Sequence, residues 1–182
     1  VKNAEYFRDA FMAIQQLVNE GLVLAGHDIS AGGIITTLLE MCFANTKGGL
    51  NLCFDKIQEA DIVKILFAEN PGVVIQVSDA NAPRAKKILE DAGVAYAKIG
   101  KPAEGREITI HKNISNAQVP NAKIADRDMV FTFDIDTLRD VWYSTSYLLD
   151  RRQSFNGKAD ERYANYKNIP VEWTVSGEPL TK

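Results

Sequence analysis

Residues 22–44 read Leu-Val-Leu-Ala-Gly-His-Asp-Ile-Ser-Ala-Gly-Gly-Ile-Ile-Thr-Thr-Leu-Leu-Glu-Met-Cys-Phe-Ala. The apolar run Leu22-Val23-Leu24 predicts a strand over 22–26, and the spacing of Ile34, Ile35, Leu38, Leu39 and Cys42 predicts a helix over about 31–44. A strand that passes through a polar loop straight into a helix collects unpaired backbone N–H groups at the positive end of the helix dipole. Such a turn suits an anion. Gly32-Gly33 adds to the case, since each glycine in a helical turn costs roughly 0.5–1 kcal/mol relative to alanine unless close packing or a ligand needs the missing side chain. His27, Asp28, Ser30, Gly32 and Gly33 are therefore the candidate ligand-binding residues, with the amides of 30–33 expected to be bare. The alternative is structural: Ser30 or Asp28 caps the helix, and the glycines serve packing. Asp28 suits a ribose hydroxyl, a metal or a cap better than a phosphate, which its charge repels.

Working outward, Phe7, Ala10, Phe11, Ile14, Leu17 and Val18 mark an amphipathic first helix of about 17 residues ending at Gly21. Downstream, Leu50–Phe54 alternates like a half-buried strand, and Asp61–Ala68 is a short helix. Gly72–Ser78 is the most β-branched run and reads as a central strand. Pro83 opens a helix over Ala82–Asp91. Val94–Ile99 and Glu107–His111 read as strands joined by a turn-forming linker, Lys101–Gly105. Residues 113–128 are polar and irregular, and Met129–Ile135 alternates again. Asp136 is placed to cap a last helix with Leu138, Val141, Trp142, Thr145 and Leu148 on one face. From about 153 the period disappears, as in a linker or a segment packed on a neighbour. The alternation of strands and helices gives an α/β (α+β) fold, a mixed sheet covered by helices, with a C-terminal helix and linker tail.

At 182 residues the chain can bury a real core, and its 46% hydrophobic and 25% charged composition is that of a globular domain. A net charge of −3 with interleaved Lys and Arg argues against nucleic acid and anionic membranes. Cys42 and Cys53 have no metal-ligand or CxxC spacing and read as buried thiols of a reducing, cytoplasmic compartment. No metal ligands are expected. Other groups carry plainer readings: Gly48-Gly49 as a turn, His111 as a surface residue, Ser144-Thr145-Ser146 as ordinary helix and Glu69 as a solvated loop acid.

The segment 24–44 resembles the His-Asp-x-Ser-x-Gly-Gly-Leu helix opening of the formylglycinamide ribonucleotide amidotransferase (phosphoribosylformylglycinamidine synthase) family, with Ile34 in place of the leucine. Leu138–Tyr147, with Arg151-Arg152 and Asn156–Arg162, resembles that family's Leu-x-x-x-Trp-x-x-Thr-Ser-Tyr helix and the charged stretch after it. Phe67–Val77 and Ile99-Gly100 resemble family segments in the expected order. The first motif alone would also fit aminoimidazole ribonucleotide synthetase, selenophosphate synthetase or thiamine-phosphate kinase. The Trp-Thr-Ser-Tyr helix makes the choice.

The resemblance implies an aminoimidazole ribonucleotide synthetase-like C-terminal domain over 1–135 and a connecting helix and linker over 136–182. Its partners would be an ATP-binding domain and a glutaminase domain of the same polypeptide. The implied parent reaction uses ATP and Mg to phosphorylate the amide oxygen of formylglycinamide ribonucleotide; ammonia from glutamine then displaces phosphate. By resemblance His27, Asp28, Ser30, Gly32 and Gly33 would border the ligand cleft, none of them catalytic. The isolated chain is expected to be inactive and to bind no cofactor tightly. The alternatives are the same domain of a related ATP-dependent synthetase, or a non-catalytic interaction module whose Gly32-Gly33 turn packs against protein.

Overall fold

A computed structural model describes residues 3–114 and 127–165. Six helices and six strands follow one another among them: α1 (Ala4–Asn19), β1 (Val23–Ile29), α2 (Gly33–Phe43), β2 (Gly49–Cys53), α3 (Ile62–Phe67), β3 (Gly72–Val77), α4 (Ala82–Asp91), β4 (Gly100–Ala103), β5 (Glu107–Ile114), β6 (Arg127–Asp134), α5 (Ile135–Gln153) and α6 (Lys158–Asn165). The chain divides into two compact units after Arg139, within α5.

In the first unit the strands form two sheets, a β1–β3 ribbon and a four-stranded sheet ordered β4-β2-β5-β6. β2 and β5 run parallel and the other neighbours antiparallel, so the larger sheet is mixed, as the sequence led us to expect. Its core joins Ile35, Leu38 and Cys42 of α2 to Leu52, Ile65, Leu66, Ile108, Ile110 and Ile135, around the fully buried Phe54. A second core holds α1 against α4 through Ala13, Leu17, Ala85, Ile88 and Leu89.

The ribbon lies between these cores. Val74 packs on the first, while Val23, Ile75 and Val77 pack on the second. This corrects the reading of Gly72–Ser78 as a central strand. Among the described residues β3 pairs with β1 alone, and its β-branched run packs Val74 on one core and Ile75 and Val77 on the other while Val73 stays exposed.

Other expectations shift. Val94–Ile99 is not a strand; pairing begins at Gly100 and runs to Ala103, into the supposed linker, and Pro102 is tolerated because β4 is an edge. β1 runs on to Ile29, beyond the expected 26. Cys42 is buried as read, whereas Cys53 is exposed. Asp136 does not cap α5, because the Thr137 N–H donates to Asp134 Oδ1 at 2.6 Å. Asp136 instead pairs with Arg106, at 2.8 Å from Nη2, and Arg106 also donates to the carbonyls of Cys42 and Gly48. One guanidinium thus ties the end of α2 and the start of α5 to the start of β2.

In the second unit Val141, Trp142 and Leu148, read as sharing one helix face, are more than half exposed. The stretch after 153 contains the helix α6, joined to α5 by stacked Tyr147 and Tyr163 rings 4.4 Å apart and by Arg162 on Asp150 at 2.6 Å. The irregular stretch read at 113–128 falls largely outside the described residues, and so does the tail from 166.

Candidate functional site

β1 delivers His27 and Asp28 to the point where α2 begins, and the turn between them is fixed from inside the fold. The hydroxyl of Thr37, a buried residue, donates to the Asp28 carbonyl at 2.9 Å. Gly32, the residue before the helix, has φ +84°, and Gly33 has φ +73°, a region that L side chains rarely adopt. A Cβ on Gly33 would lie 2.7 Å from the Phe67 Cα and 2.5 Å from the Leu66 carbonyl oxygen. Gly33 is therefore a glycine because the end of α3 packs directly on it. The packing reading holds at that position.

The amides of the turn are not all bare. Gly33 N–H donates to the Ser30 carbonyl at 3.1 Å, closing a tight turn. Gly32 N–H donates to Glu69 Oε1 at 2.9 Å, a carboxylate 37 residues further along. The expectation of an open anion seat is corrected at these two amides, and Glu69, read as a solvated loop acid, is part of the turn. Ser30 and Ala31 remain exposed, so the turn is not walled off. No side chain caps α2 from its own first turn, and that turn carries no acidic residue, so Glu69 supplies the negative charge that the helix start favours.

His27 is held by its neighbours. Its Nε2 lies 3.2 Å from Glu40 Oε2, and its Nδ1 lies 2.8 Å from the Asp28 carbonyl and 3.5 Å from Asp28 Oδ1. With both ring nitrogens turned to protein oxygens, the imidazole fastens β1 to α2. The Asp28 carboxylate projects outward, 72% exposed. The structure thus brings the five sequence candidates to one turn and adds three residues: Thr37, Glu40 and Glu69. Helical spacing from Gly33 places Thr37 and Glu40 one and two turns on, whereas no local pattern points to Glu69.

A cleft of about 390 Å³ borders this turn, floored by Ile29, Ile34, Ile57, Ile65 and Ala68. None of the five candidates lines it. Its Ile57 wall is fixed by Lys112, which is buried and donates through Nζ to the carbonyls of Phe54 at 3.0 Å and Ile57 at 2.6 Å. Next to it, the Asn113 N–H holds the Asp55 carboxyl below the usual carboxylate range. Among the described residues no group of three or more His, Cys, Asp or Glu could hold a metal ion, and no helix is long and apolar enough to cross a membrane.

Residues 1–113 match the family model described as AIR synthase related protein, C-terminal domain. The chain is 33% identical over 147 residues, 80% of its length, to the Homo sapiens phosphoribosylformylglycinamidine synthase, and 31% identical over 157 residues to the Dictyostelium discoideum protein of the same name. It spans about a tenth of the length of those relatives. A solved structure described as T. maritima PurL complexed with FGAR superposes with a TM-score of 0.53 over 96% of this chain and 23% of that one. At 17% identity this likeness establishes the fold alone.

Proposed function

Because the chain belongs to the family of AIR synthase related C-terminal domains, we propose that it is the C-terminal synthetase domain of a phosphoribosylformylglycinamidine synthase. The observation that carries this reading is the 33% identity with the human enzyme, which extends beyond the family model. Beside it, α5 carries the Leu138-x-x-x-Trp142-x-x-Thr145-Ser146-Tyr147 pattern that resembles the same family. The domain occupies 1–135, and 136–182 connects it towards a glutaminase domain of the same cytoplasmic polypeptide.

In the proposed reaction ATP supplies the phosphoryl group that turns an amide oxygen into a leaving group, and glutamine supplies the ammonia. Excluding water keeps that ammonia unprotonated. The contribution of this domain is binding and placement: the turn through Ser30, Gly32 and Gly33, exposed at Ser30 and Ala31, lies at the edge of a ligand cleft, with Asp28 beside it for a hydroxyl group. His27 and Thr37 act on position, fixing the Asp28 backbone to α2. Magnesium belongs to the proposed reaction; among the described residues of this domain no group of three or more His, Cys, Asp or Glu could hold it.

The test is made on the longer polypeptide that carries this segment. ATP- and glutamine-dependent conversion of formylglycinamide ribonucleotide to its amidine is expected, with loss of turnover when residues 3–165 are deleted. Turnover that needs ATP but not an ammonia source would move the domain to an aminoimidazole ribonucleotide synthetase type of enzyme.

A further inference from the structure

Helix α5 has one face that α6 covers and another that faces water. On the covered face Tyr147, Asp150 and Ser154 receive α6, through the stacked ring of Tyr163 and the guanidinium of Arg162. At about 100° per residue, Val141, Thr145, Leu148 and Leu149 fall on the opposite side. All four are exposed, and the three aliphatic ones are more than half exposed. Single apolar side chains are ordinary on a surface, but a row about two helical turns long is a contact surface.

The sequence itself supplies an occupant of matching pattern. Beyond Asn165 it continues from Tyr166 to Lys182, and Ile169, Val171, Trp173 and Val175 stand there at every second position. In an extended chain such residues share one face. The lengths agree as well: α6 ends at Asn165, two residues after the Tyr163 ring that stacks on Tyr147, so the continuation starts beside α5. An extended chain advances about 3.3 Å per residue, so the four to ten residues past Asn165 span about 13 to 33 Å. A helix with its side chains is about 10–12 Å across, and Val141 to Leu149 covers about 12 Å along its axis. The segment is long enough to cross α5 and run beside the whole row.

We infer that the Val141–Leu149 row of α5 is the docking surface for residues 169–175 of the same chain. Tethering favours this occupant over a second copy, because a short connection supplies an effective concentration in the millimolar range. The inference goes beyond the proposed reaction and uses no residue of the β1–α2 turn.

The chain has two tryptophans, Trp142 on α5 and Trp173 in the proposed occupant. The experiment is acrylamide quenching of fluorescence in the 182-residue chain carrying Trp142→Phe, where Trp173 is the sole indole. If the segment is docked about nine-tenths of the time, quenching is on the order of tenfold weaker than for the same chain in urea. Adding Leu148→Gln and Leu149→Gln, which keep helix propensity and leave the α6 side of α5 untouched, is expected to restore the quenching seen in urea with helical circular dichroism unchanged. Quenching already equal to the urea value without those two changes would overturn the inference. Protection that survives them would overturn it too, because the segment would then rest elsewhere. Protection that grows with protein concentration, together with a dimer mass by light scattering, would assign the row to a second copy instead. Should the substituted chains fail to fold, nuclear Overhauser contacts in the unaltered chain decide: contacts between the Trp173 ring and the Leu148 and Leu149 methyl groups support the docking, and their absence overturns it.

Discussion

Helices α2 and α3 share one core and begin in opposite ways. At α3 everything is local: Asp61 Oδ1 accepts from the Val63 N–H at 2.9 Å, and Glu59 Oε1 accepts from the Ala60 and Asp61 N–H groups at 2.8 and 2.9 Å. At α2 the capping position is a left-handed glycine without a side chain, and the carboxylate at its amide comes from Glu69, beyond α3. A helix start closed by its own neighbours is complete as soon as it forms. The start of α2 is complete only after the end of α3 has docked on Gly33. The difference separates a helix start closed by its own neighbours from one closed through the fold.

The largest effect that could break this contrast lies at Gly33. Gly33→Ala forces a left-handed alanine into the backbone of Leu66 and Phe67, and should cost at least about 3 kcal/mol of stability in urea unfolding. A loss below about 1 kcal/mol would mean that the docking of α3 does not shape the turn. A bulkier change such as Gly33→Asp would perturb the fold itself, so it cannot separate ligand loss from unfolding.

A smaller effect is expected at the local cap. Asp61→Ala should cost about 1 kcal/mol and speed hydrogen exchange at Val63, with the Gly32 resonance unmoved. Movement at Gly32 would show that the two helix starts are coupled.

The smallest effect is a response to pH. The backbone N–H of Asp61 holds the Glu59 carboxyl below its ordinary value. A depressed carboxylate stabilises the fold fully above its unfolded value, near 4.3, and that contribution is lost as pH falls through the lower folded value. The Ala60 and Asp61 amide shifts should therefore titrate below the ordinary glutamate range, and Glu59→Gln should abolish the transition. A midpoint at or above that range would sink the assignment.

Much of the domain was legible along the chain. The 3.6-residue spacing of Phe7 to Val18 places α1 and the Pro83 start places α4, because periodicity and helix-start signals act within a few residues. The β1–α2 turn was legible for the same reason: strand, polar loop, glycines and helix are contiguous. Errors came where distant partners decide. Pro102 lies in a strand because β2 offers an edge, and Asp136 leaves the cap to Asp134 because Arg106 is within reach. Val141, Trp142 and Leu148 share a helix face as read and are exposed, since periodicity shows that a face is apolar without showing what covers it.

By itself, then, the sequence determined the helices before residue 153, most strands, the mixed-sheet class and the turn that gathers His27 to Gly33. Only the tertiary structure decided that Gly33 serves packing, that His27 is fastened to Glu40, and that Glu69 reaches the Gly32 amide. The physical reason is range: propensity, capping and periodicity operate over one or two turns of chain. A carboxylate 37 residues away meets an amide only after two helices have packed.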